Sequence, residues 1–263
     1  SWRSICFAGS MADPVTLFHV SDVHFGVEDH AAHRWFADAV AREGPDAVVC
    51  TGDLTQRATK RQFAAAAEWF AGMGVPLTIE PGNHDMPYYN LFERFRTPFK
   101  RFEKLQAAVE AELTFADVAI VPLRTTVRAQ MRFPWSDGVV KPAALARTVA
   151  ELERMAGDGR YKIVACHHPL MAGPPGSPNP TRGGDAAFAA LARAGADAIL
   201  SGHVHNAFDL TFEAAGRAVR MIGAGTLSTR LRASRPSFNV LRYGRDTGLE
   251  VENRSLALTP DED

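Results

Sequence analysis

Cysteine is scarce in this 263-residue sequence: Cys6, Cys50 and Cys166 are the full set, far apart and mostly inside apolar runs. That excludes a disulfide framework and indicates small buried thiols in a reducing compartment, the cytoplasm by default. No apolar run approaches the ~18 to 20 residues that a membrane-spanning helix requires, so no transmembrane segment is expected. Charge of either sign is not in excess, the formal net charge being -1. Without a basic field a stable nucleic-acid partner is not expected, and a nuclease acting on a long polyanion is a poor fit. Fixed-period repeats, low-complexity tracts and clear linkers are also missing. What is present, 46% hydrophobic and 22% charged residues, suffices for one large α/β core.

Residues 1–10 hold one arginine and the short apolar piece Ile5-Cys6-Phe7-Ala8, too short for a signal-peptide core. Gly9-Ser10-Met11 reads as a cloning junction before an initiator Met11, so 1–10 is expected to be a tag or leader remnant and 11–263 a single domain. From Met11 the chain alternates. Val15 to Val20 is a short apolar run bounded by turn residues, a strand signal. Ala31 to Glu43 places Trp35, Phe36, Ala39 and Val40 at helical spacing before Gly44-Pro45. Ala47 to Cys50, the alanine-rich helix Thr59 to Met73 and Leu77 to Ile79 complete a βαβαβ unit, which implies a parallel sheet.

The second half repeats this logic. Phe115 to Leu123, Tyr161 to Cys166 and Ala198 to Leu200 read as strands, Ala143 to Met155 and Asp185 to Ala194 as helices. Thereafter Leu210 to Phe212, Val219 to Ile222, Ser237 to Tyr243 and Leu249 to Leu256 read as strands with no helix between them. These are expected to be antiparallel and to close a second sheet against the first. The fold class is therefore α/β, two packed sheets with helices outside.

Potential metal ligands follow the strand-like runs. Asp22-Val23-His24 succeeds the first, Gly52-Asp53 the second, Gly82-Asn83-His84-Asp85 the third, His167-His168-Pro169 the run ending at Cys166, and Gly202-His203-Val204-His205 the run ending at Leu200. An i, i+2 carboxylate and imidazole on extended backbone leave on one side and suit a divalent ion of intermediate hardness. Parallel strands deliver their carboxyl ends to one edge, the edge at which open α/β sheets bind ligands. Asp22, His24, Asp53, Asn83, His167, His203 and His205 are too many for one ion and suit two that share a carboxylate. Two nearby dications need an anion between them, and Asp53 is the candidate.

In this order the blocks resemble the calcineurin-like metallophosphoesterases. The resemblance implies a four-layer αββα sandwich and two divalent metal ions, with Mn, Fe and Zn equally compatible with mixed nitrogen and oxygen ligands. Carried over by position, Asp22, His24 and His205 would hold one ion, Asn83, His167 and His203 the other, and Asp53 would bridge. His168 is the alternative to His167, which matches the family's position two places before the proline. The implied reaction is attack by metal-activated hydroxide on a phosphoryl group. His84 would hydrogen-bond that group or protonate the leaving alkoxide, and Asp85 would either orient the His84 ring or cap the following turn. Gln56 stands where protein phosphatases of the superfamily carry an aspartate, which disfavours that branch.

The Gly-Asp-Leu-Thr and His-His-Pro spellings are most similar to bacterial cyclic-nucleotide and glycerophosphodiester phosphodiesterases, so a small phosphodiester or nucleotide-type substrate is expected. A basic, phenylalanine-rich stretch, Tyr88 to Lys104, raises an alternative: a UDP-2,3-diacylglucosamine-type pyrophosphatase that receives an anionic lipid head group, peripheral to the inner membrane. The blander reading of that stretch is a helix with a core-facing phenylalanine stripe, broken near Pro98. Segments 86–112, 124–141 and 171–184 are expected to form a rim or cap. Arg57, Arg94 and His168 are the candidate substrate contacts. A metal-binding scaffold without catalysis is the reading from another class; no ligand position is lost, which weighs against it. The sequence does not indicate an oligomeric state.

Overall fold

The computed structural model describes residues 13–128, 136–172, 181–232 and 234–257. The proposed tag, 1–10, and the rim portions 129–135 and 173–180 lie outside the described residues. Strands β1 (Val15–Val20), β2 (Ala47–Cys50) and β3 (Leu77–Ile79) alternate with helices α1 (His30–Glu43) and α2 (Lys60–Ala71). The three strands pair in parallel, as the sequence predicts. Local chemistry sets the helix ends. Asp29 accepts hydrogen bonds from the Ala31 and Ala32 amides, and Gly44 stops α1 in the left-handed region at φ 54°. Thr59 and Gln62 form a reciprocal capping box at the start of α2.

The chain continues through α3 (Leu91–Arg96), α4 (Lys100–Val109), β4 (Val118–Pro122), α5 (Pro142–Arg154), β5 (Tyr161–Ala165), α6 (Gly184–Arg193) and β6 (Ala198–Ser201). It ends with β7 (Phe208–Ala214), β8 (Arg217–Gly223), β9 (Ser237–Gly244) and β10 (Gly248–Ser255). One sheet has the order β10-β9-β1-β2-β3, the other β4-β5-β6-β8-β7.

The expectation that the last four strands are antiparallel and together close a second sheet against the first is corrected here. β7 and β8 extend the second sheet, with β8 parallel to β6, whereas β9 and β10 return to the first sheet, β9 lying antiparallel to β1. The reason lies in burial. Along β9, Phe238 and Val240 face the helices while Leu241 faces the other sheet, so this strand needs cover on both sides and takes a place beside β1. β7 and β10 alternate between less and more exposed positions and end as edges.

Alternation along the strands divides the interior into three apolar layers. Phe18, Val48, Cys50 and Ile79 pack with Phe36, Phe63 and Phe70 of α1 and α2. Leu17, Val49, Ile163, Leu200 and Leu241 fill the space between the sheets. Val121, Val164 and Ile199 pack with Leu152, Phe188 and Leu191 of α5 and α6. Helix, sheet, sheet, helix is the four-layer sandwich expected.

The phenylalanine-rich stretch is two helices broken at Thr97-Pro98-Phe99. Its core-facing stripe shrinks to Phe102, which is fully buried, while Tyr88, Tyr89, Leu91, Phe92 and Phe95 are exposed. Among the described residues, no helix is long and apolar enough to cross a membrane.

Candidate metal centre

The segments after β1, β2, β3, β5 and β6 meet at the carboxyl edge of the two sheets. His24 Nε2 lies 3.6 Å from Asp22 Oδ1 and 3.3 Å from His205 Nε2, and His205 Nε2 lies 3.1 Å from Asp22 Oδ1. On the other side, His167 Nε2 lies 3.2 Å from Asn83 Oδ1. Asp53 joins the two groups: its Oδ2 is 3.7 Å from His24 Nε2 and 3.5 Å from His167 Nε2. The His203 ring is centred 5.2 Å from that of His167, and its amide donates to Asp22 Oδ2 at 2.8 Å.

These positions are costly to build. Seven non-glycine residues among those described have positive φ, and five of them are Asp22, His24, Asp53, His203 and His205. Each such residue stores on the order of 1 to 3 kcal/mol, which persists only where the surroundings enforce it. The turn after β2 also needs Gly52, at φ 102°, because a Cβ there would stand 2.7 Å from His167 Nδ1 and 2.8 Å from the Gly82 amide. Gly202 has the same function at the other end of the site, where a side chain would collide with Ser21 and Asp22.

The outer atoms of the ligands are tied down. His167 Nδ1 donates to Thr51 O and His205 Nδ1 to Arg230 O, each at 2.7 Å, which leaves both Nε2 atoms facing the cluster. Ser21 Oγ donates to Asp22 Oδ2, and the His84 amide donates to Asp53 Oδ1.

The donor set fits divalent cations. Asp22 Oδ1 is buried with no hydrogen-bond donor, although imidazole nitrogens converge on it. Asp22, His24 and His205 can present ligand atoms within 4.8 Å of one another, as can Asp22, Asp53 and His167. Burial alone would raise the Asp53 carboxyl, yet His167, His84 and His24 hold it well below the usual carboxylate range. Burial likewise opposes charge on His167, but Asp53 raises it to about 9.

The neighbouring residues divide differently from the expectations. His168 is buried; its Nε2 donates to Ser136 O and its Nδ1 accepts from Thr125 Oγ1, so both ring nitrogens are spent on the protein. Arg94 is buried too, and donates to the carbonyls of Arg128 and Pro87, bracing the rim. Arg57 is half-buried, with its guanidinium 4.4 Å from the centre of the Tyr88 ring. Asp85 does not orient the His84 ring. Its carboxylate accepts from the amides of Leu54, Thr55 and Gly82 and from Thr55 Oγ1, locking the Asp53 turn to the Asn83–Asp85 turn. His84 Nδ1 instead donates to Gln56 O.

Arg230 was not foreseen. It lies in the β8–β9 loop, where no apolar run precedes it, and only the fold brings its Nη1 to 2.9 Å from His84 Nε2. No periodicity or spacing in the sequence signals that contact.

A strained, histidine-rich centre thus stands at the carboxyl edge of an αββα sandwich. Residues 15–207 match the calcineurin-like phosphoesterase family, and the chain belongs to that family. It is 34% identical over 80 residues to the glycerophosphodiester phosphodiesterase GpdQ of Enterobacter lignolyticus (strain SCF1), a match covering 26% of this chain and 29% of that protein. Among solved structures, a dimetal phosphatase from Danio rerio is similar at a TM-score of 0.59 and 13% identity, over 93% of this chain and 100% of the other. The purple acid phosphatase PPD1 of yellow lupin (Lupinus luteus) is similar at 0.61 and 12%, over 92% and 51%. At these identities the two structures speak to the fold alone.

Proposed function

We propose that the protein is a dinuclear metal-dependent phosphodiesterase, with Asp22, His24 and His205 at one ion, Asn83, His167 and His203 at the other, and Asp53 shared. The observation that carries this reading is Asp53 Oδ2, which lies between His24 Nε2 and His167 Nε2 at 3.7 and 3.5 Å. When bound, two divalent ions supply a water that is nucleophilic at neutral pH and neutralise the phosphoryl oxygens. The chain's own residues do the rest. Thr51 O and Arg230 O fix the ring orientations of His167 and His205. His84, whose Nδ1 donates to Gln56 O, stands beside the centre with its ring 5.0 Å from that of His24; its Nε2, when protonated, would serve a phosphoryl or leaving oxygen.

The diester preference is supported by the likeness to a glycerophosphodiester phosphodiesterase. A second reading, hydrolysis of a lipid-linked nucleotide sugar at its pyrophosphate, is favoured by the exposed Tyr88 and Tyr89 beside Arg57 and by the exposed Leu91 and Phe92 that follow them. Cys50 and Cys166, free and buried, fit a cytoplasmic setting for either substrate. Metal-stripped protein reconstituted with Mn²⁺, Fe²⁺ or Zn²⁺ should hydrolyse an aryl phosphodiester faster than the aryl monoester. Cyclic nucleotides, glycerophosphodiesters and UDP-diacylglucosamine then separate the substrate classes. Absence of metal-dependent turnover of any diester or pyrophosphate overturns the reading.

A further inference from the structure

Arg230 carries an uncompensated charge at the mouth of the centre. Its Nη1 donates to two neutral acceptors, His84 Nε2 at 2.9 Å and Gln56 Oε1 at 3.3 Å. Among the described residues no carboxylate lies within ion-pairing distance of its guanidinium, and the residue is exposed. The main chain around it is nonetheless fixed. Arg230 O accepts from His205 Nδ1, Arg230 N donates to Ser228 Oγ, and Thr226 Oγ1 anchors the same loop to Asp22 O. A guanidinium set on a rigid loop, with most of its five donors free, is a preorganised oxyanion contact.

Gln56 explains how the charge stays available. A carboxylate at that position would pair with Arg230 and cancel it; the amide holds the guanidinium in place and leaves its charge intact. We infer that Arg230 binds a non-bridging oxygen of the substrate's phosphoryl group, that it positions His84 beside that group, and that Gln56 serves as its neutral support. This rests on the phosphodiesterase reading above and adds a residue to it.

The test compares Arg230→Gln, Arg230→Lys and Gln56→Glu with the unaltered protein, all metal-loaded. Three quantities are read: metal content, the dissociation constant of inorganic phosphate by equilibrium dialysis, and KM and kcat for an aryl phosphodiester. Arg230→Gln should retain its metals and weaken both phosphate binding and KM by about tenfold, the scale of one charge-assisted hydrogen bond. Arg230→Lys should recover part of the loss. Gln56→Glu, nearly isosteric, should weaken phosphate binding comparably by pairing with Arg230. Unaltered phosphate affinity and KM in both Arg230→Gln and Gln56→Glu would overturn the inference.

Should Arg230→Gln lose metals or fail to fold, Gln56→Glu decides alone, since it leaves the Arg230 main chain untouched: unaltered phosphate affinity there overturns the inference, and weakened affinity supports it. Loss of the phosphodiesterase reading is seen separately, as absence of metal-dependent diester turnover in the unaltered protein; the phosphate comparison still decides the role of Arg230.

Discussion

Asp53 Oδ2 stands 3.5 Å from His167 Nε2, although one residue follows a strand of the first sheet and the other a strand of the second. The two halves of the chain thus meet in this electrostatic contact, as they do again between Asp22 and His205. Asp53→Asn removes the charge that both halves use. It should abolish retention of both ions, measured by elemental analysis after dialysis, and turnover with them. Retention of two ions at full rate would show that Asp53 is not the shared ligand.

His84 makes a contrasting case, because its Nε2 meets Arg230 and its Nδ1 meets Gln56 O. His84→Ala should leave the metal content unaltered while lowering kcat about 10²-fold, the usual scale for one acid–base group. Loss of metal in this variant would place His84 among the ligands.

Asp85 is predicted to matter for stability first. Its carboxylate satisfies the Leu54, Thr55 and Gly82 amides in a buried turn. Asp85→Asn turns an N–H group toward donors, which should cost about 2 kcal/mol and lower Tm by roughly 5 °C. Thermal unfolding of the metal-free proteins gives the comparison, and an unchanged Tm would contradict it.

Glu80, which is not one of the candidate ligands, supplies a pH dependence of its own. Burial pushes its carboxyl up to about 8, Glu110 adding to the effect and Arg124 opposing it. Between the unfolded value of 4.5 and about 8 the folded chain holds a proton that the unfolded chain has lost. Stability from this group is therefore fully present below the unfolded value, falls as pH rises through the window, and levels off above it. Glu80→Gln should flatten the difference in Tm between pH 5.5 and 8.5 and gain on the order of a few kcal/mol at the alkaline end. Parallel pH profiles for the two proteins would refute the assignment.

The seven candidate ligands were legible because each follows an apolar run, and parallel strands end at one edge. Local patterns also marked the βαβαβ unit, the cap at Thr59 and the break near Pro98. Partners on distant segments left no such trace. Asp85 read equally well as support for the His84 ring or as a turn cap, and its role as acceptor for the Leu54 and Thr55 amides depends on a contact across some thirty positions. Arg94 and His168 carry chemistry suited to substrate, yet packing directs both to main-chain carbonyls.

What the sequence by itself determined is therefore the alternation of strands and helices and the set of ligand types at the strand ends, since side-chain period and ligand chemistry are local properties. Tertiary structure alone decided that β9 lies beside β1 and that Arg230 meets His84 and Gln56. Sheet pairing and loop packing join residues far apart in sequence, and which partner wins depends on burial over the whole fold.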